Sequence, residues 1–300
     1  MSRRISIVGP TASGKTSLSI EIAKMFGSDS VISCDSMAIY RHMDIGTAKP
    51  TVADLGALKC HLIDVADPDQ EFSIAQFSKM AKDVESRSKE GSPVIFVGGS
   101  GLYHTSVFDH LEPPPTDPSI RAKYANLLDQ RGVDWGYSLL QELDRSAAEK
   151  VEPQNHRRIA RALEVIELTG RPFSSFGPGV DAYPLASGEI IGLFPGSHEL
   201  ELRIRSRNET LFQMGWIDEC EFLLENFDLS VTASKAIGYR EIFSLIKGEL
   251  SLDQAKEEIV IRSRQYARRQ MAWFRRDPRI KWFVGAEEAL SYYSSEYKQG

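Results

Sequence analysis

The sequence is poor in cysteine, and this shortage excludes several classes of protein. Its three cysteines, Cys34, Cys60 and Cys220, lie far apart in the 300 residues, and no two of them form a CxxC pair. Neither a disulfide framework nor a zinc site is therefore expected. Free thiols in a reducing cytoplasm are the simpler interpretation, so we expect a cytoplasmic protein.

Long apolar runs and a general excess of positive charge are also missing. No apolar stretch approaches the roughly 18 residues that a membrane-spanning helix needs. Met1–Arg4 leads directly into a predicted strand, so no signal peptide is expected. The formal net charge is −6, and any nucleic-acid site must therefore be a local basic patch. With 42% hydrophobic residues, the chain can form one large domain or two smaller ones.

The most informative stretch is Gly9–Thr16, which reads GPTASGKT. It follows the apolar run Ile5–Val8, typical of a strand, and precedes Ser17–Phe26, whose apolar residues recur at helical spacing. A G-x-x-x-x-G-K-[ST] motif between a strand and a helix predicts a phosphate-binding loop. Its backbone N–H groups converge at the positive end of the helix, Lys15 adds a full charge, and Thr16 is placed to hold Mg²⁺. The motif predicts a bound polyphosphate without specifying which one.

A carboxylate is expected beside this loop. The apolar run Val31–Cys34 ends at Asp35, and strand, helix and strand with a short return predict a βαβ unit in a parallel sheet. Since the carboxyl ends of parallel strands share one edge, Asp35 should lie next to the phosphate loop. Two roles stay open for it, orienting water around Mg²⁺ or accepting a proton or hydrogen bond from a nucleophile.

The sequence has no clear second carboxylate of the Walker-B type. The buried strand predicted at Val94–Val97 ends in the glycine-rich turn Gly98–Gly101 rather than in Asp or Glu. Such glycines let a ligand or another backbone come close. The phosphate loop is therefore expected to hold phosphate without activating a water molecule.

The order of elements predicts an α/β protein with a P-loop NTPase-like parallel sheet flanked by helices and an inserted, mostly helical domain. The proline-rich segment 113–118 is a stiff connector, and the residues after it are helical in pattern. We expect a catalytic core formed by residues 1–115 and 196–300. Residues 116–195 are expected to form the insertion.

Two features of the second half complete this prediction. Ile190–Phe194 is typical of one more strand, and residues 199–276 are predicted to form three helices. Between Arg262 and Lys281 there are eight basic residues and one acidic residue, although the protein as a whole is acidic. On one helix face arginines alternate with aromatic rings, and the local excess of positive charge favours a phosphate-backbone partner.

Several segments, in this order, resemble the bacterial tRNA dimethylallyltransferases over nearly the whole chain. They are Gly9–Thr16, Asp35-Ser36 with Tyr40, Met43–Pro50, His61–Asp64, Val97–Tyr103, Arg158 with Arg161–Glu164, Ala236–Arg240, and Arg269-Gln270 with Trp273–Arg275. Two departures are visible. Ser100 stands where the family usually has threonine, and Cys60 stands where many members have histidine.

The resemblance implies transfer of a dimethylallyl group from its diphosphate to the exocyclic amino group of the adenosine just 3′ of the tRNA anticodon. The expected catalytic residues are Asp35, as general base, Ser100 and Arg203, and Mg²⁺ is expected at Thr16. The residues expected to bind the diphosphate are Gly9, Pro10, Thr11, Ala12, Ser13, Gly14, Lys15, Thr16 and Arg207. Without the resemblance, the spacing of Arg203 and Arg207 is also compatible with a solvated helix face.

The same resemblance implies that the protein, expected to be a monomer, grips the anticodon stem-loop and flips the target base out of the loop. The expected tRNA contacts are Asp35, Ser36, Met37, Ala38, Arg121, Arg157, Arg158, Ile159, Ala160, Arg161, Lys235, Gly238, Tyr239, Arg240, Arg268, Arg269, Gln270, Trp273 and Arg275.

Three alternatives stay open at this stage. They are prenylation of a free adenine nucleotide, a small-molecule kinase that uses ATP, and an RNA-binding protein without catalytic activity. The helical insertion and the basic helix argue against the first two, because a mononucleotide needs neither. The intact phosphate loop with Asp35 argues against the third.

Overall fold

The computed structural model describes residues 3–89, 91–109, 111, 114–176, 183 and 188–297. The chain forms two compact units. One consists of Met1–Asp109 with Tyr183–Gly300, and the other of His110–Ala182.

A parallel sheet of six strands is the frame of the first unit. The strands are β1 (Arg4–Val8), β2 (Ser30–Ser33), β3 (Lys59–His61), β4 (Val94–Gly98), β5 (Gly188–Leu193) and β6 (Ile280–Phe283). Their order across the sheet is β3-β2-β4-β1-β5-β6, and each neighbouring pair is parallel. The segments that follow β1, β2 and β4 therefore meet at one edge, and these are the segments that carry the phosphate loop, Asp35 and the glycine-rich turn.

Helices cover both faces of this sheet. Those of the first unit are α1 (Lys15–Phe26), α2 (Val52–Leu55), α3 (Ile74–Ser86), α4 (Gly101–Phe108), α9 (Ser197–Gln213), α10 (Trp216–Asn226), α11 (Tyr239–Ile246), α12 (Leu252–Phe274) and α13 (Ala286–Tyr297). Within the described part of the chain, none of the helices is long and apolar enough to cross a membrane.

Alternation along the strands divides the core into two layers. Ile5 and Ile7 of β1 pack with Leu18 and Ile22 of α1, on one face of the sheet. Phe96 of β4 belongs to a larger cluster on the other face, together with side chains of α3, α4, α10, α11 and α12. Since a sheet covered on both faces reads as continuous apolar runs, the buried strands were visible in the sequence.

The second unit is helical. Its helices are α5 (Pro118–Arg131), α6 (Val133–Leu143), α7 (Arg145–Ala148) and α8 (His156–Thr169). Leu128, Leu140, Ile159 and Leu163 are buried in its core. Helix α8 begins after Asn155, whose side chain accepts a hydrogen bond from the Arg158 N–H, and ends at a left-handed glycine.

The P-loop NTPase-like α/β fold is confirmed, and three details of the prediction need correction. Strand β5 is hydrogen-bonded between β1 and β6, so the insertion ends before it rather than at residue 195. Residues 199–276 contain four α-helices instead of three. Strand β6 and helix α13 were missed. Strand β6 has only four residues, lies at the edge of the sheet and contains the exposed Lys281, so its sequence pattern is weak. Pro113, in the predicted connector, lies outside the described residues.

Candidate active site

The phosphate loop joins the end of β1 to the start of α1, and its glycines are required by the space available. Gly9 has a φ of +145°, and a Cβ there would lie 2.4 Å from the carbonyl oxygen of Leu193. Gly14 is left-handed, with φ of 93°, directly before α1 begins. The first backbone N–H groups of α1 have no partner within the helix, as at any helix start, so they can receive an anion.

Lys15 lies over this loop, and its pKa is unusual for a lysine. Its Nζ donates to the carbonyl oxygen of Pro10 at 2.6 Å. Burial, followed by the nearby positive charge of Arg207, lowers the pKa of Lys15 to about 7, and the charge of Asp35 only partly opposes this. An anion bound here would restore the charged form of the lysine, because it would replace the missing solvent stabilisation.

Asp35 follows β2 at the same edge of the sheet, as the βαβ argument predicted. Its Oδ1 accepts hydrogen bonds from the backbone N–H groups of Met37, at 2.8 Å, and Ala38, at 3.4 Å. These bonds fix the orientation of the carboxylate. They leave Oδ2 without a partner among the described residues, so this oxygen is available as a proton acceptor.

Gln270 of α12 ties the two glycine-rich segments together. Its Oε1 accepts from the Thr11 N–H at 2.8 Å, and its Nε2 donates to the Gly99 carbonyl at 3.0 Å. A Cβ on Gly99 would lie only 2.1 Å from Nε2, so only glycine allows this contact. Gln270 is buried, and both of its polar atoms are engaged. Gln270 therefore holds the phosphate loop against the glycine-rich turn, and its predicted contact with tRNA stays a prediction.

Two adjoining cavities lie at this edge. The first, about 110 Å³, is lined by Lys15, Thr16 and Gln270 among others, and we call it the phosphate cavity. The second, about 280 Å³, lies against Trp216 and Tyr239, and we call it the base cavity. Five residues line both of them: Thr11, Asp35, Thr47, Arg207 and Tyr266.

Arg207 of α9 is the arginine that faces this boundary. Its Nη2 donates to the carbonyl of Thr47 at 3.3 Å, and burial lowers the pKa of the guanidinium. Arg203, one turn earlier, lines neither cavity and instead pairs with Glu199 at 2.7 Å. The structure therefore brings Arg207 to the site and does not bring Arg203, whose catalytic assignment stays a prediction.

Ser100 lies just behind the site rather than in it. Its Oγ accepts from the Ser36 N–H at 3.1 Å, donates to the Ser36 Oγ at 3.2 Å, and lies 3.5 Å from the hydroxyl of Tyr266. It is buried and lines neither cavity. Ser100 thus supports the Asp35-Ser36 segment, and its catalytic role stays a prediction.

Sequence reasoning missed Glu219 of α10, which fixes one wall of the base cavity. Its carboxylate accepts from the backbone N–H groups of Asp44 and Ile45, both at 2.7 Å, and of Gly46 at 3.1 Å. It also accepts from the Tyr239 hydroxyl at 2.6 Å. Among the residues with described positions, four donors and no acceptor bond to it, so a carboxylate is the group that satisfies them all. No local sequence pattern predicts these contacts, because the partners of Glu219 are 20 to 175 residues away along the chain.

The predicted tRNA contacts of the first unit divide into exposed and buried residues. Lys235, Arg240, Arg268, Arg269 and Arg275 are exposed. The base cavity is lined by Ser36, Met37 and Tyr239, and the phosphate cavity by Ala38. Gly238 is buried against the Trp216 ring, and Trp273 is half-buried against Gly101. The basic face is less positive than its sequence suggests, because Arg262 pairs with the buried Glu241 at 2.7 Å and Arg264 with Glu201 at 2.9 Å.

In the second unit, Arg157 and Arg158 are exposed at the start of α8. Arg121 and Arg161 both pair with the buried carboxylate of Glu164, at 2.7 and 2.8 Å. The side chains of Ile159 and Ala160 are packed in the core of this unit. The predicted contacts of these two residues with tRNA stay predictions.

Fold and site together define a transferase built on the P-loop NTPase-like fold. The sequence profile described as IPP transferase matches residues 38–277. A tRNA dimethylallyltransferase from Corynebacterium diphtheriae is 42% identical over 96% of this chain and 95% of that protein. The tRNA dimethylallyltransferase from Streptomyces coelicolor is also 42% identical, over 94% of this chain and 90% of that protein.

A solved structure agrees with these relatives. The tRNA isopentenylpyrophosphate transferase from Bacillus halodurans matches with a TM-score of 0.70 and 32% identity, over 100% of this chain and 98% of that one. The chain belongs to the IPP transferase family, and the resemblance seen in its sequence is confirmed.

Proposed function

We propose that this protein transfers the dimethylallyl group of dimethylallyl diphosphate to the exocyclic amino group of the adenosine 3′-adjacent to the tRNA anticodon, and releases diphosphate. The observation that carries the proposal is the position of Asp35 and Arg207, which line both the phosphate cavity and the base cavity. A leaving group held on one side and a nucleophile on the other would meet between these two residues.

On the phosphate side, the protein stabilises the leaving group. The loop N–H groups, Lys15 and Arg207 surround the phosphate cavity with positive charge. As the bond between carbon 1 of the dimethylallyl group and the diphosphate oxygen breaks, its electron pair passes to the diphosphate, where this charge is already oriented.

On the base side, Asp35 accepts the proton that the adenosine amino group releases. The adenosine nitrogen forms its bond to carbon 1 of the dimethylallyl group and becomes positively charged. The free Oδ2 of Asp35 accepts one proton from it, while the two backbone N–H groups hold Oδ1 in place. No water is activated, which agrees with the missing Walker-B carboxylate.

Mg²⁺ is proposed as the accompanying ion. The exposed hydroxyl of Thr16 and the carboxylate of Asp35 line the same cavity, and hard oxygen donors of this kind suit Mg²⁺ when a diphosphate supplies further oxygens. The described residues contain no cluster of three or more His, Cys, Asp or Glu side chains for a metal. Thr16 would hold the ion, which would supply charge neutralisation for the diphosphate.

The tRNA is proposed to be held by exposed cations of both units. Those of the first unit are Lys235, Arg240, Arg268, Arg269 and Arg275, and those of the second are Arg121, Arg157 and Arg158. Chemistry on a base of the anticodon loop requires that base to leave its stack and enter the cavity. We propose that the protein does this as a monomer in the cytoplasm.

The test is transfer of labelled dimethylallyl from its diphosphate, with unmodified tRNA, free AMP and ATP hydrolysis measured side by side. Label on tRNA alone is the expected result. Label on AMP would support the nucleotide prenyltransferase instead, and brisk ATP turnover without transfer would support the kinase.

A further inference from the structure

A third cavity, which the proposed function does not use, is lined chiefly by residues of α9 and α12. We call it the α9–α12 cavity, and its volume is about 260 Å³. Its apolar lining includes Phe194, Leu200, Ala267 and Met271. An apolar chain would be removed from water there, which is favourable.

Ile204 of α9 stands between this cavity and the base cavity. Among the residues that the structure describes, it is the one that lines both of them. Its side chain packs with Leu200, Val260 and Ala267, and Ala12 of the phosphate loop packs against this cluster. Only 3% of Ile204 is exposed, so the side chain is packed on nearly all sides. It therefore acts as a wall, and a smaller side chain would connect the two cavities.

The direction of the dimethylallyl chain leads to this wall. The leaving oxygen and the adenosine nitrogen lie on opposite sides of carbon 1, between Asp35 and Arg207, so the rest of the allyl group extends sideways. Ile204 lies three residues before Arg207, a spacing that puts both on one face of α9. Ala12 lines the base cavity and follows Thr11, which lines both cavities at the boundary. Ala12 and the wall at Ile204 are therefore the apolar groups beside the reacting carbon.

We propose that Ile204 limits the length of the prenyl donor. The methyl groups of the dimethylallyl chain lie at Ala12, and the Ile204 side chain closes the way to the α9–α12 cavity. Geranyl diphosphate, which is longer by one isoprene unit, is excluded because its additional carbons meet this wall. This inference rests on the proposed function, because it requires prenyl transfer at the boundary of the phosphate and base cavities.

The test compares two donors in variants of α9. Ile204→Ala opens the wall, and Ile204→Val shortens it by one methyl group. Leu211→Ala is the matched control, because it removes as many carbon atoms as Ile204→Ala from a buried position that lines the base cavity but not the α9–α12 cavity. The acceptor is an anticodon stem-loop RNA with adenosine at the target position, and mass spectrometry of the RNA identifies the group transferred.

The measured quantity is the ratio of kcat/KM for geranyl diphosphate to kcat/KM for dimethylallyl diphosphate. A general loss of activity affects both donors, so it cancels in this ratio. Ile204→Ala should raise the ratio by at least about tenfold over the wild type, since even one methylene group in an apolar pocket is discriminated by about that factor. Ile204→Val should give a smaller rise, and Leu211→Ala should give none.

An unchanged ratio in folded Ile204→Ala would overturn the inference. An equal rise in Leu211→Ala, or a wild type that uses both donors equally well, would also overturn it. Thermal unfolding shows whether Ile204→Ala is folded. If it is not, Ile204→Val decides, because an unchanged ratio in that variant overturns the inference and a raised one supports it. The proposed function fails separately, if the wild type transfers nothing from dimethylallyl diphosphate to the RNA.

Discussion

The proton affinity of Lys15 makes binding of dimethylallyl diphosphate depend on pH. In the free protein its pKa is about 7, mainly because the amine is buried, and the neighbouring charge of Arg207 lowers it further. A bound diphosphate favours the charged lysine, so it raises this pKa and binding takes up a proton when the free lysine is neutral. The contribution of Lys15 to the affinity should therefore be full below about pH 6 and should fall as the pH rises through the pKa of the free protein.

The expected size follows from the fraction of charged lysine. One pH unit above the pKa, about one molecule in eleven still carries the proton, and each further unit lowers that fraction about tenfold. The dissociation constant should rise by the same factors until the pKa of the bound state is reached. Titration calorimetry at fixed Mg²⁺, in two buffers of different ionisation enthalpy, measures both the affinity and the proton taken up.

Lys15→Arg is the control, because arginine stays charged throughout this range. The last ionisation of a phosphate ester lies near pH 6, and it is common to both proteins. The wild type should lose affinity between about pH 7 and pH 9, whereas the variant should not. A flat profile for the wild type, or the same slope in both proteins, would refute the reasoning.

Three further predictions address other parts of the site. Asp35→Asn keeps the acceptor for the Met37 N–H but cannot take a proton, so the rate of transfer should fall by about 10² to 10⁴-fold. The Kd for tRNA should stay constant. An undiminished rate of transfer would exclude Asp35 as the base. Glu219→Gln turns an NH₂ group toward backbone donors, so the free energy of unfolding, measured in urea, should fall by roughly 1–3 kcal/mol. Glu221→Gln, exposed on the same helix, should have no effect. Equal effects of the two substitutions would contradict the role of Glu219. Arg268→Ala should reduce the slope of tRNA affinity against salt concentration, on logarithmic scales, by about one counterion. Arg205→Ala is the control, because the Arg205 guanidinium pairs with Glu257, and it should leave this slope unchanged. A wild-type affinity that does not depend on salt would count against tRNA binding by the basic helix.

The parts of the site that local chemistry dictates could be predicted from the sequence. The phosphate loop needs glycines between a strand and a helix, and Asp35 ends the next apolar strand, so topology alone puts both at one edge of the sheet. The start of α3 is likewise set by local chemistry, since Ser73 forms a capping box with Gln76.

The remainder depends on contacts between distant residues. Gln270 meets Thr11 across 259 residues, and Glu219 meets Asp44 across 175, so neither leaves a periodic signal. The choice between Arg203 and Arg207 did leave a trace in the sequence. Glu199 stands four residues before Arg203, the spacing of a helical ion pair, and it engages that arginine at the surface.

The most direct test of the central claim uses two anticodon stem-loop RNAs. One carries adenosine at the position 3′-adjacent to the anticodon, and the other carries purine riboside, which lacks only the exocyclic amino group. With labelled dimethylallyl diphosphate and Mg²⁺, the wild-type protein should label the adenosine RNA and release one diphosphate for each group transferred, and it should leave the purine RNA unlabelled. Equal labelling of both RNAs, or diphosphate release without label on RNA, would contradict the account.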